Sequence, residues 1–203
     1  QLIVTMCVSS YVGVDQDSVA VERGEALVKP HGGKVINAKA QDTGLSSESA
    51  EIVVGEAMLT MQGEKTKAKI AAEALRLLKP GGRYVIHELG LTPNDIDPWV
   101  ADGLRKQLAQ TIRVNARPLT ENEWRTVLTD AGFEVEWIGC APMALLSPRR
   151  NLADEGILGV GRIIRNLIRD KELRARVMQM KSTFNKYRNH LTGIALVAKK
   201  PSK

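Results

Sequence analysis

Cysteine is almost absent from this chain, and the two that occur, Cys7 and Cys140, stand far apart and in no ligand-like spacing. Neither a disulfide framework nor a zinc site can be built from them, so both read as packing residues. Aromatic residues make up 4% of the sequence, too few for the stacking platforms that hold unpaired or flipped bases. No apolar run approaches the roughly 20 residues a membrane helix needs, and Gln1 to Cys7 lacks the charged start of a secretion signal. These absences make the expected address cytoplasmic, with no membrane partner. The three histidines, His31, His87 and His190, are dispersed, so no metal is expected. No Gly-x-Ser-x-Gly elbow and no phosphate loop ending in Gly-Lys-Ser/Thr occurs, and Gly159-Val160-Gly161 lacks the third glycine of a dinucleotide loop.

What is present is a chain of 203 residues, 43% hydrophobic and 26% charged, the profile of one main globular domain. The net charge of +6 is concentrated between Arg149 and Arg188, where 11 Arg and Lys face 4 acids. Short apolar runs alternate with helical patterns through the first two-thirds, as in βα units around a parallel sheet. Tyr11-Val12-Gly13-Val14 reads as a strand ending on Asp15. A short helix through Val19, Arg23, Ala26 and Leu27 follows, closed by Lys29-Pro30 and Gly32-Gly33. Lys34-Val35-Ile36 reads as the next strand. Ile52-Val53-Val54 reads as a third, covered on both faces because three consecutive β-branched residues suit that setting. Ile70, Ala74, Leu77 and Leu78 form the apolar stripe of a helix that stops at Lys79-Pro80-Gly81-Gly82 and delivers a fourth strand, Tyr84-Val85-Ile86.

In the last third, Thr120 and Glu123 have the spacing of a capping box. Trp124, Val127, Leu128 and Ala131 continue the helix to Gly132, and Phe133 to Ile138 alternates as a half-buried strand does. Leu173, Val177, Met180, Phe184, Tyr187 and Leu191 recur at helical spacing as a packing stripe, with Arg174, Lys181, Lys186 and Arg188 opposite. Ile157, Val160, Ile164 and Leu167 suggest a preceding helix, and Ile194 to Ala198 a final strand.

Two stretches carry chemistry. An acid at a strand tip, Asp15, stands where a carboxylate can accept both hydroxyls of a ribose or cap the next helix. His87 and Glu88 end the fourth visible strand, where an open α/β sheet builds its site, so a general base is possible there beside the plainer reading of a polar strand end. The run Glu73 to Ile86, with Lys79-Pro80-Gly81-Gly82 at its centre, is similar to the helix, tight turn and strand found late in class I S-adenosylmethionine-dependent methyltransferases of small-molecule type. In that light Gly33 to Asp42 resembles the strand and loop flanking adenine, Ala50 to Ala57 the strand near the methionine end, and Leu119 to Gly139 with Gly193 to Lys199 the closing elements.

The resemblance implies a doubly wound, mostly parallel α/β sheet with an antiparallel last strand, a single domain over 1–203, and helical lid inserts at about 92–118 and 144–190. It implies S-adenosylmethionine as cofactor, bound by Asp15, Gln16, Gln41, Asp42, Gly55 and Glu56, with His87 and Glu88 as the catalytic candidates. The implied activity is methyl transfer to a small molecule, with a homo-oligomer left open. An RNA methyltransferase, prompted by the basic segment, and a non-catalytic binding protein stand as alternatives; a nicotinamide dehydrogenase fits the element order less well. Two features depart from the family pattern. Its glycine-rich loop is absent, and Asp15 falls so early that the first strand would lie before Gln1. Lys39 stands where an acid commonly faces adenine, leaving Gln41 or Asp42 as the acceptor.

Overall fold

A computed structural model describes residues 10–112, 115–142 and 169–202. Cys7, the Gly159-Val160-Gly161 run and the expected helix through Ile157 and Leu167 lie outside them. Strands β1 (Val12–Asp15) and β2 (Lys34–Asn37) pair in parallel, joined by helix α1 (Ser18–Val28). Strands β3 (Ala50–Glu56) and β4 (Leu78–Leu91) also pair in parallel, joined by α2 (Glu64–Leu77). Helix α3 (Pro98–Ile112) leads to the short β5 (Leu119–Thr120), which pairs with the end of β4. Then come α4 (Glu121–Asp130), β6 (Glu134–Pro142), α5 (Lys171–Lys186) and β7 (Leu191–Lys199). The strand order is β3-β4-β7-β6, and β7 runs antiparallel to both neighbours. This is the expected α/β fold with an antiparallel last strand. Among the described residues no strand joins β1 to β3, so the two parallel pairs belong to separate sheets.

The predicted punctuation acts as chemistry requires. Ala50 faces Leu78 and Ile52 faces Arg83, so Lys79 to Gly82 bulge out between the two pairings. Gly81 sits at φ +78°, and a Cβ on Gly82 would come within 2.9 Å of the Glu51 and Lys79 carbonyl oxygens. Only glycine suits either position. The capping box forms as read: Glu123 N–H donates to Thr120 Oγ1 and Thr120 N–H to Glu123 Oε2.

One face of the larger sheet holds the main core. Tyr84 and Ile86 of β4, and Ile194, Leu196 and Ala198 of β7, meet Ile70 and Ala74 of α2, Trp124 and Leu128 of α4, and Phe133. Burying side chains of this size contributes roughly 1.5–3 kcal/mol each before entropy is charged. A second cluster sits at the carboxyl end of β4, where Leu91 and Leu191 pack with Ala101, Leu104 and Leu108 of α3, backed by Phe184 and Tyr187 at the end of α5. Tyr187 Oη and Lys186 Nζ both donate to Gln107 Oε1, tying α5 to α3.

Three expectations need correction. Strand β3 is not covered on both faces: Ile52 is 55% and Val54 65% exposed, because among the described residues β3 pairs with β4 alone and the face they share with Val85 and His87 stays open. Cys140 is exposed rather than packed, since among the described strands β6 is the outer one beside β7. The α5 stripe is covered only toward its end, with Leu173 still exposed and Phe184 and Tyr187 seated on α3.

Candidate functional site

The carboxyl ends of parallel strands are where the backbone of an open sheet leaves room for ligand, and there the polar residues collect. Asp15 ends β1. Its Oδ1 accepts the Asp17 amide at 2.9 Å, and its other carboxylate oxygen has no partner among the described residues. Asp17, not Asp15, caps α1, taking the Val19 and Ala20 amides on Oδ1. The capping alternative for Asp15 is therefore already filled by its neighbour, and an exposed carboxylate oxygen remains at the strand tip. Gln16 lies exposed between the two acids.

Beyond β2 the chain closes a tight turn, with the Asp42 amide donating to the Lys39 carbonyl at 2.9 Å. Gln41 is half-buried at its tip, while Lys39 and Asp42 are both exposed. The neighbouring Thr43 is anchored through its amide and hydroxyl to Glu73 Oε1 of α2. Glu73 is gripped in turn by the Arg76 guanidinium, at 2.7 Å from Nε and 2.8 Å from Nη2. That fork holds the Glu73 carboxyl down at about 2 against the cost of its burial. The turn that carries Gln41 and Asp42 is thereby fastened to the helix behind it.

At the tip of β3, Gly55 is buried, and its missing side chain makes room for the Tyr84 hydroxyl on the core face. Burial pushes that phenol upward, so it stays protonated. Glu56 points to the other face and accepts from His87 Nδ1 of β4 at 2.8 Å. Next, Ala57 adopts φ +49°, an uncommon backbone for a residue with a Cβ, and its amide donates to the His87 carbonyl. Strain of this kind persists only where the surroundings over-determine it.

Glu88 supplies that determination. It is 3% exposed, and its carboxylate receives the amides of Met58, Leu59 and Thr60 and the Thr60 hydroxyl, at 2.6 to 3.0 Å. Period-2 alternation sends His87 outward and Glu88 inward, so the two catalytic candidates separate into an exposed imidazole and a buried loop anchor. Glu88 has no open lone pair directed at solvent and is not placed to handle a substrate proton. Beside it Lys67 of α2 is 1% exposed. Its ammonium donates to the Arg117 carbonyl at 2.8 Å and lies 5.0 Å from the Trp124 ring centroid. Burial pushes it down to about 8, although the Glu88 charge opposes the shift.

Sequence reasoning missed both Lys67 and Glu73. Glu73 and Arg76 have the i,i+3 spacing of a helix pair, which was a usable signal. Lys67 gave none. His31 is exposed, His190 Nδ1 approaches the Thr92 carbonyl, and no cluster able to hold a metal occurs among the described residues.

The profile of the family described as "Methyltransferase domain" matches residues 2–86. An uncharacterized protein of Haemophilus influenzae is 35% identical over 192 residues, covering 93% of this chain and 74% of that protein. The chain belongs to the class I S-adenosylmethionine-dependent methyltransferases. A S-adenosylmethionine-dependent methyltransferase from Methanosarcina mazei shares the fold at a TM-score of 0.59 and 18% identity, over 96% of this chain and 83% of that one. The MccD protein shares it at 0.69 and 18% identity, over 94% and 79%. Membership makes this methyltransferase dependent on S-adenosylmethionine as cofactor. The residues present fit that group, because ribose hydroxyls are donors and Asp15 presents an ionisable acceptor with an oxygen to spare.

Proposed function

We propose that the protein transfers a methyl group from S-adenosylmethionine to a small-molecule acceptor in the cytoplasm. Asp15 takes the ribose, Gln16, Gln41 and Asp42 edge the adenosine, and Gly55 and Glu56 lie at the methionine end. The bound cofactor supplies an electrophilic methyl on its sulfonium, so the protein's work is chiefly alignment and exclusion of water.

The observation that carries the small-acceptor reading is the packing of α3 and the end of α5 onto Leu91 and Leu191, at the carboxyl end of β4 and the adjoining amino end of the antiparallel β7. A helical wall there suits an enclosed acceptor better than a polymer track. The inserts at 92–118 and 144–190 are then the acceptor-choosing parts of one domain. The basic face of α5 reads as a solvated helix surface.

Incubating the protein with methyl-labelled S-adenosylmethionine and a cell extract, then separating small molecules from macromolecules, tests this. Label should collect in the small-molecule fraction and be insensitive to nuclease and protease. Label that stays with RNA would replace this reading by the nucleic-acid one. Absence of transfer despite tight S-adenosylhomocysteine binding would leave a binding protein.

A further inference from the structure

We infer that Glu56 and His87 form a general-base dyad, and that the acceptor is therefore a nucleophile that must lose a proton, a hydroxyl or a protonated amine, rather than a ready-made anion. The inference rests on the methyl-transfer reading above. A carboxylate can only accept a hydrogen bond, so the 2.8 Å contact from His87 Nδ1 to Glu56 Oε1 fixes the neutral imidazole as its Nδ1–H tautomer. Nε2 then carries the lone pair. A carboxylate that orients an imidazole and steadies the imidazolium once formed is the division of labour in other carboxylate–histidine pairs.

The surroundings leave Nε2 accessible. His87 is 55% and Glu56 66% exposed at the side chain. The neighbour of His87 across β7 is Ala195, too short to cover the ring. Among the described strands, the charged groups on this face are Glu56 itself, Arg83 four residues back on β4, which pairs with Glu136 of β6 at 2.8 Å, and Lys199 of β7 opposite Arg83, with Glu134 of β6 beside it. Glu88 faces the other way. The dyad is also held still, because Ala57 is bonded to the His87 carbonyl and residues 58–60 are pinned by Glu88.

The step balances without a further reactant. The acceptor's lone pair forms the new bond to the methyl carbon, the carbon–sulfur bond breaks, and its electrons stay on sulfur as the thioether. The proton leaving the acceptor moves to His87 Nε2, giving an imidazolium paired with the Glu56 carboxylate, and later passes to water.

With only three histidines in the chain, long-range proton–nitrogen NMR can assign the His87 tautomer with no acceptor present. The expected result is Nδ1–H in the wild type, relaxing toward a mixture in Glu56→Gln. An Nε2–H tautomer in the wild type overturns the dyad. In the labelled-extract assay, His87→Gln should lose about 100- to 10,000-fold in transfer rate while S-adenosylhomocysteine affinity stays within about threefold. The deficit should shrink as pH rises, because the acceptor then ionises unaided. Wild-type transfer by His87→Gln overturns the dyad alone. Failure of the wild type to bind S-adenosylhomocysteine or to label any small molecule overturns the methyl-transfer reading, and the dyad with it.

Discussion

Glu73 shows how one residue can stabilise the molecule and shape its site together. Its carboxylate gathers Arg76 and both polar groups of Thr43, which secures the turn beside the adenosine candidates. The Arg76 fork holds it at about 2, below the roughly 4.3 of an unfolded chain. The stabilisation is complete above the unfolded value and is lost as pH falls through 4 toward 2. Arg76 is partly exposed, so solvent screening trims the contribution to about 2 kcal/mol. Urea titration of Glu73→Gln should show a deficit of that order at neutral pH, narrowing toward zero near pH 2. A deficit that stays constant down to pH 2 would mean that packing, not charge, is what the substitution removes. Among single residues, parity decides which are legible. His87 and Glu88 must face opposite sides of β4, but Tyr84, Val85 and Ile86 are all apolar, so no pattern in the chain says which side is core.

Elements were more legible than their surroundings. The strand tips, the Lys79-Pro80-Gly81-Gly82 turn and the Thr120 capping box each rest on local chemistry, and each stands where residue type and spacing put it. Coverage of β3 was not legible, since a run such as Ile52-Val53-Val54 reports an affinity for burial and cannot report which neighbour supplies it. Lys67 is the sharper case: a lysine within a helical pattern reads as solvent-facing, yet its position buries it between α2, α4 and the segment after α3. There it holds the Arg117 carbonyl while the Arg117 amide is held by Thr60. An ammonium depressed to about 8 from 10.5 is charged at a cost below pH 8, and that cost is relieved as pH rises from 8 to 10.5. Stability of the wild type relative to Lys67→Met should therefore climb by up to about 3 kcal/mol across that window, measured by denaturant titration. A flat difference would indicate that the ammonium is already hydrated in the folded protein.

At the scale of the whole molecule, the order of strands and helices carried the family, and the family carried the cofactor. The methyltransferase-domain family matches residues 2–86, which run from before β1 into β4. The proposed cofactor contacts draw on carboxylates from separate strands, and for these the decisive local fact is that Asp17 caps α1, while Asp15 accepts only the Asp17 amide and keeps its second carboxylate oxygen without a partner among the described residues. Calorimetric titration with S-adenosylhomocysteine, run with thermal melts on the wild type, Asp15→Ala and Asp17→Ala, tests this most directly. Two charge-assisted hydrogen bonds to a ribose are worth about 1.5–3 kcal/mol each, so Asp15→Ala should bind at least about tenfold more weakly while melting almost unchanged. Asp17→Ala should do the reverse, losing about 1 kcal/mol of stability with affinity retained. Wild-type affinity in Asp15→Ala would contradict the account.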